Sequence, residues 1–196
     1  MEQLEIAGFK KEELTIDMAK AQLLSLIYFI PAAILLGLPY YFLWAVDYNL
    51  QTIIDMVPAR LSVAVSMFTI CGVLIVGVVL HELIHGLTWA MFAKSGFKSI
   101  RFGVVWKFLT PYCHCKEPLL VKHYMIGALM PALLLGLLPS IIALFTGNLF
   151  YFVFGLFFTL AAGGDFMIIN LLRRVDYNAL VQDHPSKIGC YIYKKV

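Results

Sequence analysis

The chain reads as an all-α membrane protein: four transmembrane helices with a small β-hairpin on the cytoplasmic side. Three observations predict this. Of its 196 residues, 61% are hydrophobic and 14% charged, where a soluble domain averages about 45–50% apolar and roughly 25% charged. The charges are grouped, leaving four apolar stretches long enough to cross a bilayer. The segment between the second and third stretches alternates apolar and polar residues, a strand signature. Residues 1–196 are expected to form a single membrane domain, with the lipid bilayer as its first partner.

The elements follow from the gaps between charges. Residues 1–20 carry five acids, Glu2, Glu5, Glu12, Glu13 and Asp17, unlike the cationic start of a secretory signal. The first span, 21–46, has no charge and contains Pro31, Gly37 and Pro39. The second, 61–93, is uncharged for its first twenty residues. The third, 124–146, contains Pro131 and Pro139, and the fourth, 149–172, is apolar except for Asp165 and Asn170. Prolines lack the N–H that a helix needs, so the first and third spans should kink or loosen. Asn170 is expected to hydrogen-bond between helices.

Gly96 is placed to end the second helix. After it, Ile100, Phe102, Val104 and Trp106 alternate with Arg101, Gly103 and Lys107, broken at Val105. Thr110-Pro111 marks a turn before a second extended piece, so a hairpin is expected over about 99–116. Residues 188–193 are expected to add a strand to it.

Lysine and arginine set the orientation. Residues 1–20 hold three, 47–60 one, 94–123 six, 147–148 none and 173–196 five. With both termini in the cytoplasm, fourteen of the fifteen lie inside, as the positive-inside rule requires. The basic residues sit beside apolar spans rather than on one face, so no nucleic-acid partner is expected.

The second span ends in His81-Glu82-Leu83-Ile84-His85. On a helix, residues four apart share a face, so His81 and His85 can converge on one metal ion. Glu82 is then placed to act as base toward water on that ion. Each ionisable residue within a bilayer costs on the order of 3 kcal/mol, so three in five residues call for a reason. In the predicted topology His81 lies roughly 30 Å and Asp165 roughly 24 Å from the outer ends of their spans. That similar depth makes Asp165 the candidate third ligand of a Zn²⁺ ion, with His114, His123 and His184 as the other candidates.

These residues resemble the site-2 intramembrane metalloproteases, whose resemblance implies zinc held by two His and one Asp and cleavage of substrate helices within the membrane. Here Phe166 follows Asp165 where those enzymes usually have Gly. The chain more closely resembles a bacterial family of zincin-type membrane peptidases over roughly residues 75–190. The pattern is His81-Glu82-Leu83-Ile84-His85-Gly86, Cys113-His114-Cys115-Lys116-Glu117-Pro118, Gly163-Gly164-Asp165 and Asp183-His184-Pro185. The resemblance implies a bacterial cytoplasmic membrane and makes Asp183-His184-Pro185 a candidate lid or site edge.

Cys113-His114-Cys115 lacks a fourth ligand at zinc-finger spacing, so a second metal site there is the weaker reading. A group beside the main site, with His114 stabilising the transition state, is the more modest one. Gly163-Gly164 fits either close helix packing or a close approach to the metal. The expected function is a zinc-dependent peptidase hydrolysing a membrane protein or peptide within or next to the bilayer. His81, His85 and Asp165 would hold the metal, with Glu82 and His114 catalytic. A non-catalytic metal-binding scaffold or transporter component is the first alternative, and a hydrolase of a lipid or small amide the second. Nothing in the sequence fixes an oligomeric state.

Overall fold

The structure, a computed structural model, describes residues 8–46, 48, 63–106, 110–184 and 188–195. Glu2, Glu5, Arg60, Lys107, Pro185, Lys187 and the first two residues of the expected second span lie outside them. The described chain begins with strand β1 (Phe9–Ile16) and helix α1 (Met18–Tyr40), which runs into a π-helical turn, Tyr41–Ala45. Helix α2 is Val63–Ala90. Strands β2 (Ile100–Val105), β3 (Thr110–Cys115) and the short β4 (Leu119–Leu120) follow. Helix α3 (Val121–Pro131) passes through a π-helical segment, Ala132–Leu137, into α4 (Leu138–Thr146). Helices α5 (Leu149–Ala161) and α6 (Gly163–Leu172) precede strands β5 (Leu180–Asp183) and β6 (Ile188–Lys195).

Among the described residues, three helical stretches are long and apolar enough to cross a membrane: Leu26–Ala45, Val65–Ala90 and Val121–Thr146. Phe68, Leu35 and Phe145 are between 74% and 81% exposed, a waste of apolar surface in water and the ordinary state of a lipid-facing helix. Helices α5 and α6 make a fourth span if taken as one, but they are bent by 45° at Ala162. The expected fourth span, 149–172, is therefore built from two helices rather than one. Gly163 and Gly164 are poor helix formers, and a Cβ added at Gly164 would meet nothing within 4 Å. That glycine serves the bend rather than close packing. Asn170 is exposed, contrary to the interhelical role expected of it.

The prolines loosen their helices as predicted. Each π-helical segment begins within two residues of one, Pro39 or Pro131, where the missing N–H has removed a ladder bond. At the end of the bundle away from the strands, Tyr40 donates its hydroxyl to the Gly147 carbonyl at 2.8 Å and stacks on Phe152. Trp44 donates to the Leu144 carbonyl at 2.9 Å. These aromatic contacts tie α1 to the α4–α5 turn, where Gly147 takes a left-handed conformation with φ +70°.

The hairpin forms over the expected residues, β2 against β3, with Ile100 opposite Cys115 and Val105 opposite Thr110. Residues 188–195 do not join it. Instead β6 pairs with β1 and β5 in a separate antiparallel sheet of order β1-β6-β5-β4. The all-α expectation with one hairpin thus becomes a mostly helical chain with six described strands. The best-buried core lies where this sheet meets the hairpin and the helix ends. Trp89, Cys115, Val121, Leu172, Val181 and Ile192 pack together there.

Candidate metal centre

Helix α2 places His81 and His85 four residues apart on its inner face, both buried. Their Nε2 atoms lie 3.2 Å from each other. Asp165, in the first turn of α6, reaches both: Oδ2 is 3.2 Å from His81 Nε2 and Oδ1 is 3.2 Å from His85 Nε2. A carboxylate in a first turn is also favoured by the helix dipole. The bend at Ala162 brings that turn beside α2.

The donor set fits a metal ion. Four ligands about 2.0–2.1 Å from zinc stand about 3.3 Å apart on the edges of a tetrahedron, close to the three separations found here. His85 Nδ1 lies 2.9 Å from the Gly127 carbonyl; a carbonyl only accepts, so Nδ1 carries the proton and a neutral His85 turns a lone pair on Nε2 toward Asp165. Two acceptors at 3.2 Å repel unless a positive charge joins them, and a bound cation does so. His81 Nδ1 is buried with no hydrogen-bond partner among the described residues. Among the described residues, His81, His85 and Asp165 are the one group of three metal-ligating side chains near enough to share an ion.

Glycine governs how closely neighbouring elements approach. A Cβ on Gly127 would stand 2.1 Å from the Trp89 indole nitrogen, and one on Gly77 2.3 Å from the Phe158 ring. Trp89 stacks on His85 and on Tyr124, with centroids 5.1 and 4.9 Å apart, and donates to the Tyr124 carbonyl at 3.0 Å. His85 is thus held by a ring on one side and a carbonyl on α3. A Cβ on Gly86 would lie 2.6 Å from the Phe102 ring, so the residue after the motif admits the hairpin.

Glu82 lies within electrostatic reach of the Cys113 backbone N–H and of His81, His85 and Asp165. It is therefore at the metal group and beside β3. His114, the next residue of β3, lies with its Nδ1 3.9 Å from Asp183 Oδ2. Asp183 also accepts from the Cys115 N–H at 2.7 Å and from the Tyr124 hydroxyl. The other histidines stand apart from the metal group. His123 stacks on Phe92, and His184 is 3.5 Å from Glu13.

No second group of three metal-ligating side chains forms around Cys113 and Cys115 among the described residues. Burial pushes Cys113 up well beyond the usual thiol range, Cys115 to about 11 and Cys190 to about 12. The residues that sequence reasoning missed act mostly through backbone: the Gly127 carbonyl and the Cys113 N–H. Asp183 had a signal, the Asp183-His184-Pro185 motif, but its attachment to β3 did not.

A mostly helical chain with membrane-length apolar helices, and with two histidines, an aspartate and a neighbouring glutamate converging, has the layout of a metallopeptidase. Residues 74–180 match the family described as "Putative zincin peptidase", and the chain belongs to that family. The family implies a metal, typically zinc. No curated protein and no solved structure matches the chain.

Proposed function

We propose that this protein is a zinc-dependent peptidase embedded in the membrane, hydrolysing peptide bonds of membrane proteins or peptides within or beside the bilayer. The observation that carries this reading is the convergence of His81, His85 and Asp165 beside Glu82. Bound there, zinc supplies Lewis acidity toward water and the scissile carbonyl. Glu82 takes the proton from the attacking water and returns it to the leaving amine. The Cys113 N–H stands within electrostatic reach of the Glu82 carboxylate, and the Gly127 carbonyl and Trp89 ring fix His85. We assign His114 the role of hydrogen-bonding the developing oxyanion.

Substrate access is supported by an apolar cleft of about 370 Å³ lined by Thr69, Val73, Val76, Gly77 and Leu80 of α2 and by Phe154 of α5. Gly77 lies one helical turn before His81 on the same face of α2, so the cleft borders the stretch of helix that leads to the metal ligands. The grouping of Lys and Arg supports both termini, and with them the two sheets, on the cytoplasmic side.

The test pairs two variants in detergent or liposomes, against a panel of transmembrane and membrane-adjacent peptides. Glu82→Gln should keep bound zinc and lose turnover by about 10²-fold or more. Asp165→Ala should lose zinc, because it removes a ligand. Full activity in Glu82→Gln overturns the mechanism. Firm zinc binding with no cleavage of any peptide favours the scaffold.

A further inference from the structure

We propose that Asp183 is a positioning residue of the metal site: its carboxylate holds β3 and α3 where their backbones orient Glu82 and His85. The inference deepens the peptidase reading and rests on it. Asp183 ends β5, in the four-stranded sheet, and its side chain is 11% exposed. Its three polar neighbours belong to two other elements, Cys115 and His114 on β3 and Tyr124 on α3.

The register of the hairpin explains what the Cys115 contact controls. The Lys116 N–H donates to the Ser99 carbonyl across the hairpin at 2.9 Å. In an antiparallel pair the N–H groups alternate in direction, so those of His114 and Tyr112 also point at β2. Those of Cys113 and Cys115 point away, and Pro111 has none. Both outward donors of β3 thus meet carboxylates: the Cys115 N–H donates to Asp183, and the Cys113 N–H lies within electrostatic reach of Glu82. The strand spans the two acids, and Asp183 sets where the Cys113 N–H meets Glu82.

The Tyr124 contact controls α3. Tyr124 lies one helical turn before Gly127, whose carbonyl accepts from His85 Nδ1. Trp89 fills the space between, stacked on both rings. From one carboxylate two short routes therefore run, through Cys115 and Cys113 to Glu82 and through Tyr124 and Gly127 to His85. Burial raises the Asp183 carboxyl from its ordinary value, while His114, the Tyr124 hydroxyl and the Cys115 N–H draw it down. A buried acid kept against that cost fits a junction better than a filler.

The experiment uses the zinc-loaded full chain in detergent, comparing wild type with Asp183→Ala, Asp183→Asn and Tyr124→Phe. Lys194→Ala, at the exposed Lys194–Glu12 pair, is the control. Turnover per bound zinc is measured with KM, and hydrogen exchange of the Cys113 amide is followed in parallel. Asp183→Ala should lower kcat by about ten-fold or more with little change in KM and expose the Cys113 amide to exchange at least about ten-fold faster. Asp183→Asn keeps an oxygen for the Cys115 N–H and should recover part of both losses. Adding Tyr124→Phe to Asp183→Ala should cost little more, and Lys194→Ala should change neither readout. A lower melting temperature with wild-type kcat and Cys113 exchange would mean that Asp183 only anchors the sheet, and overturns the proposal. If Asp183→Ala does not fold, unchanged kcat and exchange in both Asp183→Asn and Tyr124→Phe overturn it equally. If wild type cleaves nothing, the peptidase reading fails while Cys113 exchange still decides: faster in the Asp183 variants supports positioning, unchanged overturns it.

Discussion

His85 Nδ1 donates to the Gly127 carbonyl at 2.9 Å, and this one bond settles which nitrogen of His85 faces the metal group. The acceptor is a glycine because nothing larger fits: a Cβ there would enter the Trp89 indole. Outer hydrogen bonds of this type raise the basicity of a ligating imidazole and fix its ring.

Gly127→Ala is accordingly expected to push α3 away from Trp89 and stretch the bond to His85. Zinc affinity should fall by about 10–100-fold, measured by competition with a chelator of known affinity. Overpacking of this kind costs about 1–3 kcal/mol, so the protein should still fold. Unchanged affinity would show that the carbonyl does not govern the ligand.

Gly86 and Phe102 make a second prediction. Gly86→Ala places a methyl 2.6 Å from the Phe102 ring and 3.0 Å from Ile100 Cγ2. The hairpin should shift and carry the Cys113 N–H away from Glu82, so turnover should fall while zinc stays bound. Phe102→Ala in the same chain makes room for the methyl. The double variant should then be closer to Phe102→Ala alone than to Gly86→Ala, a coupling read from the double-mutant cycle. Additive losses would deny that the two residues meet.

Much of the site was legible because its chemistry sits in unlike surroundings. Ionisable residues stand out in apolar spans, the His81/His85 spacing follows from helical period, and the depth of Asp165 follows from topology. The hairpin announced itself through alternation. The four-stranded sheet did not. The middle of β1 is Lys10-Lys11-Glu12-Glu13, which shows no apolar alternation, β4 has only two residues, and β1 pairs with the far end of the chain. Its support comes from partners that local sequence cannot supply. The break at Ala162 was hidden for a related reason: two glycines mark flexibility, but only packing against α1 and α3 decides which way the helix turns.

The thiols yield a pH-dependent prediction. With Cys115 pushed to about 11, Cys190 to about 12 and Cys113 higher still by burial, each is almost wholly protonated near pH 8. Thiolate is the reactive form, so alkylation of these three in the folded protein should be at least about ten-fold slower than of an unperturbed thiol, whose value is about 8.5. The rate should rise as pH increases toward 11 and jump on unfolding. Labelling followed by mass spectrometry measures each site. Rapid labelling of Cys113 and Cys115 at pH 8 would show that burial does not keep them protonated.

Zinc should also act as a folding ligand. A ligand that binds only the folded state stabilises it by about 2.7 kcal/mol at a hundred times its dissociation constant. Titrating zinc into chelator-stripped wild type should therefore raise Tm progressively. Glu82→Gln should follow the same curve, since Glu82 is assigned as the base and not as a ligand. Asp165→Ala removes one of the three converging groups, so its Tm should stay flat over the same zinc range and respond only at much higher concentration. Differential scanning of the three proteins in one detergent gives the comparison. A full zinc response in Asp165→Ala would move the third ligand away from α6, whereas loss of the response in Glu82→Gln would make that glutamate a ligand and leave the proposed mechanism without its base.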